Sequence, residues 1–181
     1  MVERVTELVK MILRKSGPIG IGVDMTLGNG HDALFLLDDI RVGYLYGFDI
    51  QDEAIEKSKK LLGPRDNLSI IKDSHENLDK YIKEEINLAV YNLGYLPGSN
   101  KIITTRAEST IKSLEILLEK LAKNGRVIIT VYYGHDEGKI EERSLDSYIK
   151  ALDPKEYAIM KISYPNKENS PPYILIIDKK V

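Results

Sequence analysis

A chain of 181 residues can bury one hydrophobic core without staples, and its 43% hydrophobic and 30% charged content is that of an ordinary folded domain. The absence of cysteine excludes disulfides, thiolate zinc sites and a cysteine nucleophile, while a net charge of −2 argues against coating nucleic acid by bulk electrostatics. No apolar run approaches the roughly 20 residues that span a bilayer and nothing resembles a signal peptide, so the expectation is a cytoplasmic protein with no membrane partner.

In chain order, MVERVTELVKMILRKSG carries Val, Leu and Ile at helical spacing. Strands are then predicted at GIGVDMT (20–26), LYGFDI (45–50), NLSIIKD (67–73), INLAVYNLG (86–94) and RVIITVYYG (126–134). Most are unbroken hydrophobic runs, as suits strands covered by helices on both faces. Between them DALFLLDDI, DEAIEKSKKLLG and TTRAESTIKSLEILLEKLAKNG read as helices, the last ending on Asn124-Gly125 as a C-cap, and a further helix covers roughly 138–151. This alternation predicts a parallel α/β sheet with right-handed crossovers. YAIMKISYP (157–165) and PYILIIDKK (172–180) are separated only by NKENSP, too short for a crossover helix, so these strands pair antiparallel or are not neighbours. No repeat or linker divides the chain, and residues 1–181 read as a single domain ending in an antiparallel hairpin.

The stretch VDMTLGNGHD joins the first strand to a helix through Gly28-Asn29-Gly30. GNGHDA fits the dinucleotide pattern G-x-G-x-x-G/A, and Asp49 lies 19 residues after Gly30, where a ribose-binding acid is expected. Glycines that merely relieve strain in the turn are a further reading. Charge separates the ligands. Asp24 and Asp32 flank the turn, and Asp49 and Asp73 end the next two strands. Four carboxylates around one crevice repel a pyrophosphate and suit a ligand with two positive centres, such as the sulfonium and ammonium of S-adenosylmethionine. The terminal hairpin also speaks against a nicotinamide-binding domain, which is usually parallel throughout.

Ligands of open α/β sheets lie outside the carboxyl ends of the strands. There Asp49 can accept both ribose hydroxyls, Ile50 and Gln51 flank an adenine, and Asp73-Ser74-His75 offer hydrogen bonds to its amino group; Asp73 or Ser74 capping a helix at HENLDKYI is the plainer reading. On the fourth strand, NLGYLPG places Asn92 to accept a hydrogen bond from an attacking N–H and Tyr95 to stack on a base, against a simple Gly/Pro turn with a buried tyrosine. After the fifth, Tyr132 and Tyr133 form an acceptor wall and His135 takes a proton, against a surface histidine in a glycine turn. His31, His75 and His135 lack metal-site spacing, so no metal is expected. Lys57, Lys59, Lys60, Arg65 and Lys72 form one basic cluster and Lys101, Arg106 and Lys112 another, each read as a solvated surface before a nucleic-acid face.

DMTLGNGHD, YGFDIQ, NLGYLPG and YYGH, with the late YPNKENSPP loop, resemble a small bacterial methyltransferase family first catalogued as rRNA methylases and since linked to tRNA, methylating the amine of 5-aminomethyl-2-thiouridine at the wobble position. The resemblance runs from the first helix to the last strand. It implies a class I methyltransferase fold, S-adenosylmethionine as donor, a tRNA anticodon loop as acceptor and a homodimer. It also implies donor contacts by Gly28, Asn29, Gly30, Asp32, Asp49, Gln51, Ser74 and His75, joined by Asp24 on charge grounds, and an acceptor side of Asn92, Tyr95, Tyr133 and His135. Other classes consistent with the residues are a methyltransferase for another RNA or a small amine, a dinucleotide-dependent oxidoreductase and a non-catalytic binding module.

Overall fold

A computed structural model describes residues 4–94, 107–134, 136–168 and 170–181. Its elements alternate along the chain: α1 (Val5–Leu13), β1 (Ile21–Asp24), α2 (His31–Asp38), β2 (Tyr44–Asp49), α3 (Asp52–Leu62) and β3 (Leu68–Lys72). A 3-10 turn (His75–Asn77) and the one-turn α4 (Leu78–Tyr81) follow. Then come β4 (Ile86–Leu93), α5 (Ala107–Lys120), β5 (Leu121–Val131), α6 (Asp136–Ala151), β6 (Tyr157–Ile162) and β7 (Tyr173–Lys179). The strands form one seven-stranded sheet in the order β3-β2-β1-β4-β5-β7-β6. All pairs from β3 across to β5 are parallel, and β7 runs antiparallel between β5 and β6. This is the class I methyltransferase arrangement, with the expected hairpin at one edge.

Side-chain alternation explains the unbroken apolar runs. Along β4, Leu88 and Val90 pack into a core with Leu27, Leu36, Leu45, Ile128 and Ile176, on the side of α1 to α3. Ala89, Tyr91 and Leu93 point the other way, into a core with Leu114, Leu117, Val127, Leu145 and Leu175 beneath α5 and α6. Each face is covered, so both phases of the strand are apolar; each buried Leu, Ile or Val contributes roughly 1.5–3 kcal/mol. At the antiparallel edge, Arg126 is paired in register with Asp178, and its guanidinium donates to both carboxylate oxygens at 2.6 and 2.8 Å. A one-residue slip of β7 would break that fork and turn Ile174 and Ile176 to the wrong face.

One boundary differs from expectation. The helix predicted to end on Asn124-Gly125 stops at Lys120, because Leu121 already pairs with Ile86 at the start of β5. Pairing resumes at Leu88 with Arg126, so residues 122–125 form an irregularity inside the strand, where Asn124 takes a left-handed φ of 61°. The Asn-Gly pair makes a tight turn, as its chemistry suggests, but within the strand rather than at the helix end.

Candidate active site

After β1 the chain turns to β2 and β3 on one side of the sheet and then to β4 on the other. The crevice at that reversal lies between the tips of β1 and β4 and is where an open α/β sheet takes its ligand. Asp24 ends β1 there and is fully buried. One of its carboxylate oxygens accepts from the Thr26 N–H at 3.1 Å, while the other has no hydrogen-bond partner. Burial above all, then the charges of Asp32 and Asp49, push its carboxyl up to about 8.

The following turn is built from main chain. Gly28 (φ 52°) and Gly30 (φ 83°) take left-handed conformations, and a Cβ on Gly30 would sit 3.1 Å from the Ser58 Cβ of α3. The Leu27 N–H donates to the Phe48 carbonyl at 2.8 Å, tying the turn to β2. Asp49, at the tip of β2, accepts from the Gly28 N–H on one oxygen and from the Gln51 N–H on the other, each at 2.9 Å. A carboxylate so held keeps lone pairs free toward the crevice, enough for two hydroxyls. Beside it Ile50 is exposed, an apolar side chain where a flat ring can lie. Within the turn the buried Asn29 carbonyl oxygen lacks a partner.

At the next strand end, Asp73 and Ser74 form a cap. Burial opposes ionisation of Asp73, yet hydrogen bonds from Asn77, Tyr81 and the Ser74 N–H hold its carboxyl below the ordinary range. Ser74 accepts from the Glu76 N–H at 3.4 Å. The ring of four acids is therefore three in space, Asp24, Asp32 and Asp49, with Asp73 engaged by its own turn. His75 is buried, and burial holds its imidazole down to about 4 against the pull of Glu76 and the Met25 backbone. Its Nε2 is another buried atom without a partner, and its ring meets Tyr91 edge-on at 5.9 Å.

Across the crevice, Asn92 at the tip of β4 is half-buried. Its backbone N–H donates to the Thr26 hydroxyl and its side-chain Nδ2 to Asp32 Oδ2, both at 2.7 Å. Tyr132 lies near the same carboxylate: burial first, then the charge of Asp32, raise its phenol. Tyr133 turns to the opposite face and packs on Tyr173 at 5.5 Å between ring centroids. Tyr95 and His135 lie outside the described residues. Thr26 thus joins a site to which the sequence motifs assign Asn92 and the Tyr132-Tyr133 pair, and of the two tyrosines Tyr132 is the one near Asp32 and Asn92. Counting by twos from the core residue Ile128 would have put Tyr132 on the Asn92 face.

The arrangement fits an organic cation. Among the described residues no Lys or Arg forms an ion pair with Asp24, Asp32 or Asp49, and no His, Asp or Glu group is arranged to hold a metal ion. Two carboxylates without a countercharge, beside a buried third acid that burial and their charges hold protonated, leave a deficit that a positively charged ligand fills. The buried unpartnered atoms of Asp24, Asn29 and His75 are left for polar ligand groups.

Comparison with known proteins agrees. A crystal structure of a protein named "putative rRNA-methylase" from Clostridium thermocellum superposes with a TM-score of 0.93 at 33% identity, covering 99% of both chains. A methyltransferase from Streptococcus mutans, solved in complex with SAH, superposes with a TM-score of 0.88, also at 33% identity and 99% of both chains. A protein of Arabidopsis thaliana named tRNA (mnm(5)s(2)U34)-methyltransferase, chloroplastic, is 27% identical over 172 residues, or 87% of this chain; the chain spans 63% of that relative's length. The family model described as "Putative rRNA methylase" matches residues 45–178. This chain belongs to that family, a family of small S-adenosylmethionine-dependent methyltransferases with the class I fold.

Proposed function

We propose that this protein transfers a methyl group from S-adenosylmethionine to an amine carried by RNA, and that the amine is the 5-aminomethyl group of a (2-thio)uridine at the tRNA wobble position. The observation that carries the donor half is the buried, half-satisfied Asp24 beside Asp32 and Asp49 with no described cation among them. S-adenosylmethionine supplies a methyl on a positively charged sulfur, which leaves with its electron pair retained by sulfur. Asp49 would hold the ribose hydroxyls, the Gly28-Asn29-Gly30 turn and Asp24 the amino-acid end, and Gln51, Ser74 and His75 the adenine side. A neutral His75, whose other nitrogen donates to the Met25 backbone, presents Nε2 there as an acceptor for an amino group without adding charge.

On the acceptor side the Asn92 carbonyl takes a hydrogen bond from the amine N–H and aims the lone pair, so that orientation supplies most of the acceleration. The nitrogen gives its lone pair to the methyl carbon and releases one proton, which the resemblance assigns to His135. Tyr95 and Tyr133 carry the assignment of base-stacking residues from the same resemblance. A wobble base is single-stranded and can be splayed into such a site without melting a duplex. The tRNA reading is supported by the name of the Arabidopsis relative. Assembly as a homodimer would bring further Lys and Arg to the anticodon stem.

The net charge of −2 and the rRNA wording of the family favour a second reading, in which the acceptor amine belongs to ribosomal RNA or a small molecule. One assay separates them. The protein is incubated with labelled S-adenosylmethionine and, in turn, undermodified tRNA, undermodified rRNA and small amines, and the RNAs are digested to nucleosides. Label in 5-methylaminomethyl-uridine nucleosides is expected; label only in rRNA nucleosides or in free amine replaces the tRNA reading with the second.

A further inference from the structure

Asp32 has a role the donor site does not require. It stands in the first turn of α2, yet its carboxylate reaches across the crevice to Asn92 on β4, 60 residues away in sequence, accepting from Nδ2 at 2.7 Å. A carboxylate only accepts hydrogen bonds, so the amide must face it with its NH2, and the amide carbonyl is turned away from it. The other hold on Asn92, through its backbone N–H and the Thr26 hydroxyl, fixes where the residue sits but leaves its side chain free to rotate. Among the described residues, Asp32 is the group that decides which end of the amide looks into the site.

That choice matters chemically. An amide carbonyl presented to an amine accepts its N–H and leaves the lone pair free. Rotated half a turn, the same side chain presents an NH2, which takes the lone pair as its own acceptor and withdraws it from the methyl group. Resting on the methyl-transfer reading above, we propose that Asp32 is a positioning residue of the acceptor side: it locks the Asn92 amide with its carbonyl toward the acceptor amine, a task separate from the negative charge it shares with Asp24 and Asp49 at the donor site. Asp32 and Asn92 also line one small cleft with Val9, Lys10, Leu13 and Phe35, and Tyr132 feels the Asp32 charge from β5.

Three readouts test this. By calorimetry with S-adenosylmethionine, Asp32→Ala should weaken donor binding by less than about tenfold, well short of the loss in Asp49→Ala, while kcat of the donor-saturated enzyme on undermodified tRNA falls about 100-fold and KM for tRNA changes little. Asp32→Asn, the same shape with a carbonyl that can still accept from the Asn92 NH2, should recover about tenfold over Asp32→Ala. Adding Asp32→Ala to Asn92→Ala should cost nothing more, because the two act as one unit. A loss of donor affinity as large as that of Asp49→Ala, losses that multiply in the double variant, or no rescue by Asp32→Asn would each overturn the proposal. If wild type methylates no RNA, the acceptor reading fails by itself; the contact is then read in the Asn92 side-chain NH2 resonances of the donor-saturated protein. Those signals should shift and exchange faster in Asp32→Ala, and unchanged signals would overturn the positioning role.

Discussion

The two banks of the crevice are held by different means. On the β1 and β2 side the main chain does the holding: Leu27 and Gly28 donate backbone N–H groups to β2, and Gln51 closes the other side of Asp49. On the β4 side the turn is tied to Val90 by the Met25 backbone N–H, but the tip itself is held through side chains, Thr26 to the Asn92 backbone and Asp32 to its amide. A bank held by backbone keeps its shape when most side chains change, whereas one held by side chains can be altered by a single substitution. A scaffold that takes one donor and several acceptors is expected to divide its support in this way.

Breaking the backbone-held bank at its one essential side chain should have the largest effect. Asp49→Ala removes the expected ribose ligand and orphans the N–H groups of Gly28 and Gln51, so donor affinity should fall at least about 100-fold, or roughly 2.7 kcal/mol. Calorimetry with S-adenosylhomocysteine reads this directly. An unchanged affinity would remove Asp49 from the donor site.

Next in size is the pH dependence set by Asp24. Its carboxyl titrates near 3.9 when unfolded and is pushed up to about 8 when folded, by burial first and then by Asp32 and Asp49. Between those values the native chain keeps a proton that the unfolded chain releases. The contribution to stability is therefore present below about pH 4 and is lost as pH rises toward 8. Asp24→Asn should flatten this loss, a difference of about 2 kcal/mol across the window after discounting for relaxation of the buried site. Thermal melts of both proteins from pH 5 to 8 measure it, and parallel curves would mean that Asp24 is already ionised in the free protein. Because a cationic donor favours the charged carboxylate, binding at pH 7 should also expel a proton, visible as a binding enthalpy that depends on the buffer.

The turn itself gives a smaller effect. Gly30→Ala must place a Cβ at φ 83° and 3.1 Å from the Ser58 Cβ, where α2 and α3 meet. A destabilisation of about 1–2 kcal/mol is expected by denaturant titration. At Gly63 nothing lies within 4 Å of an added Cβ, but its φ of 63° and ψ of −178° fall in a region that essentially only glycine adopts, so the same change there should be costly through backbone strain alone. A loss at Gly30 well below 1 kcal/mol would show that the turn and α3 relax around the added methyl.

Much of this was legible because local chemistry and tertiary structure agree. Apolar runs in both phases announced strands covered on two faces, and a spacer too short for a helix announced the hairpin. Asp49 could be found by its distance from the glycines, since the motif lies in one βαβ unit. Asn124-Gly125 misled because its turn chemistry is real while its place is set by Leu121 reaching Ile86 across the sheet. Thr26, and the choice of which paired tyrosine faces Asn92, were hidden for a related reason. The Thr26 contact spans 66 residues, and the orientation of Tyr132 depends on strand phase rather than on the Tyr-Tyr pair itself. The cap formed by Asp73 and Ser74 was visible as an alternative, and its hydrogen bonds to Asn77 and Tyr81 show why a strand-end acid need not face a ligand.

The smallest expected effect concerns the basic surface of α3 and its surroundings. The cluster of Lys57, Lys59, Lys60, Arg65 and Lys72 reads in sequence as a solvated surface before a nucleic-acid face, and four of the five have an acidic partner: Glu53 to Lys57 at 2.7 Å, Glu56 to Lys59 at 3.5 Å, Asp38 to Arg65 at 2.6 Å and Asp52 to Lys72 at 2.5 Å. Paired charges present little net field, and the donor-side location puts them away from Asn92. Lys57→Ala and Lys72→Ala should therefore change stability by no more than about 0.5 kcal/mol, and the salt dependence of tRNA binding should keep its slope. If instead each substitution lowers that slope by about one, the lysines leave their carboxylates for phosphates when RNA binds, and the acceptor approaches across the bank that holds the donor. Such a result would reverse the division between the two banks, because the backbone-held side would then also carry the RNA.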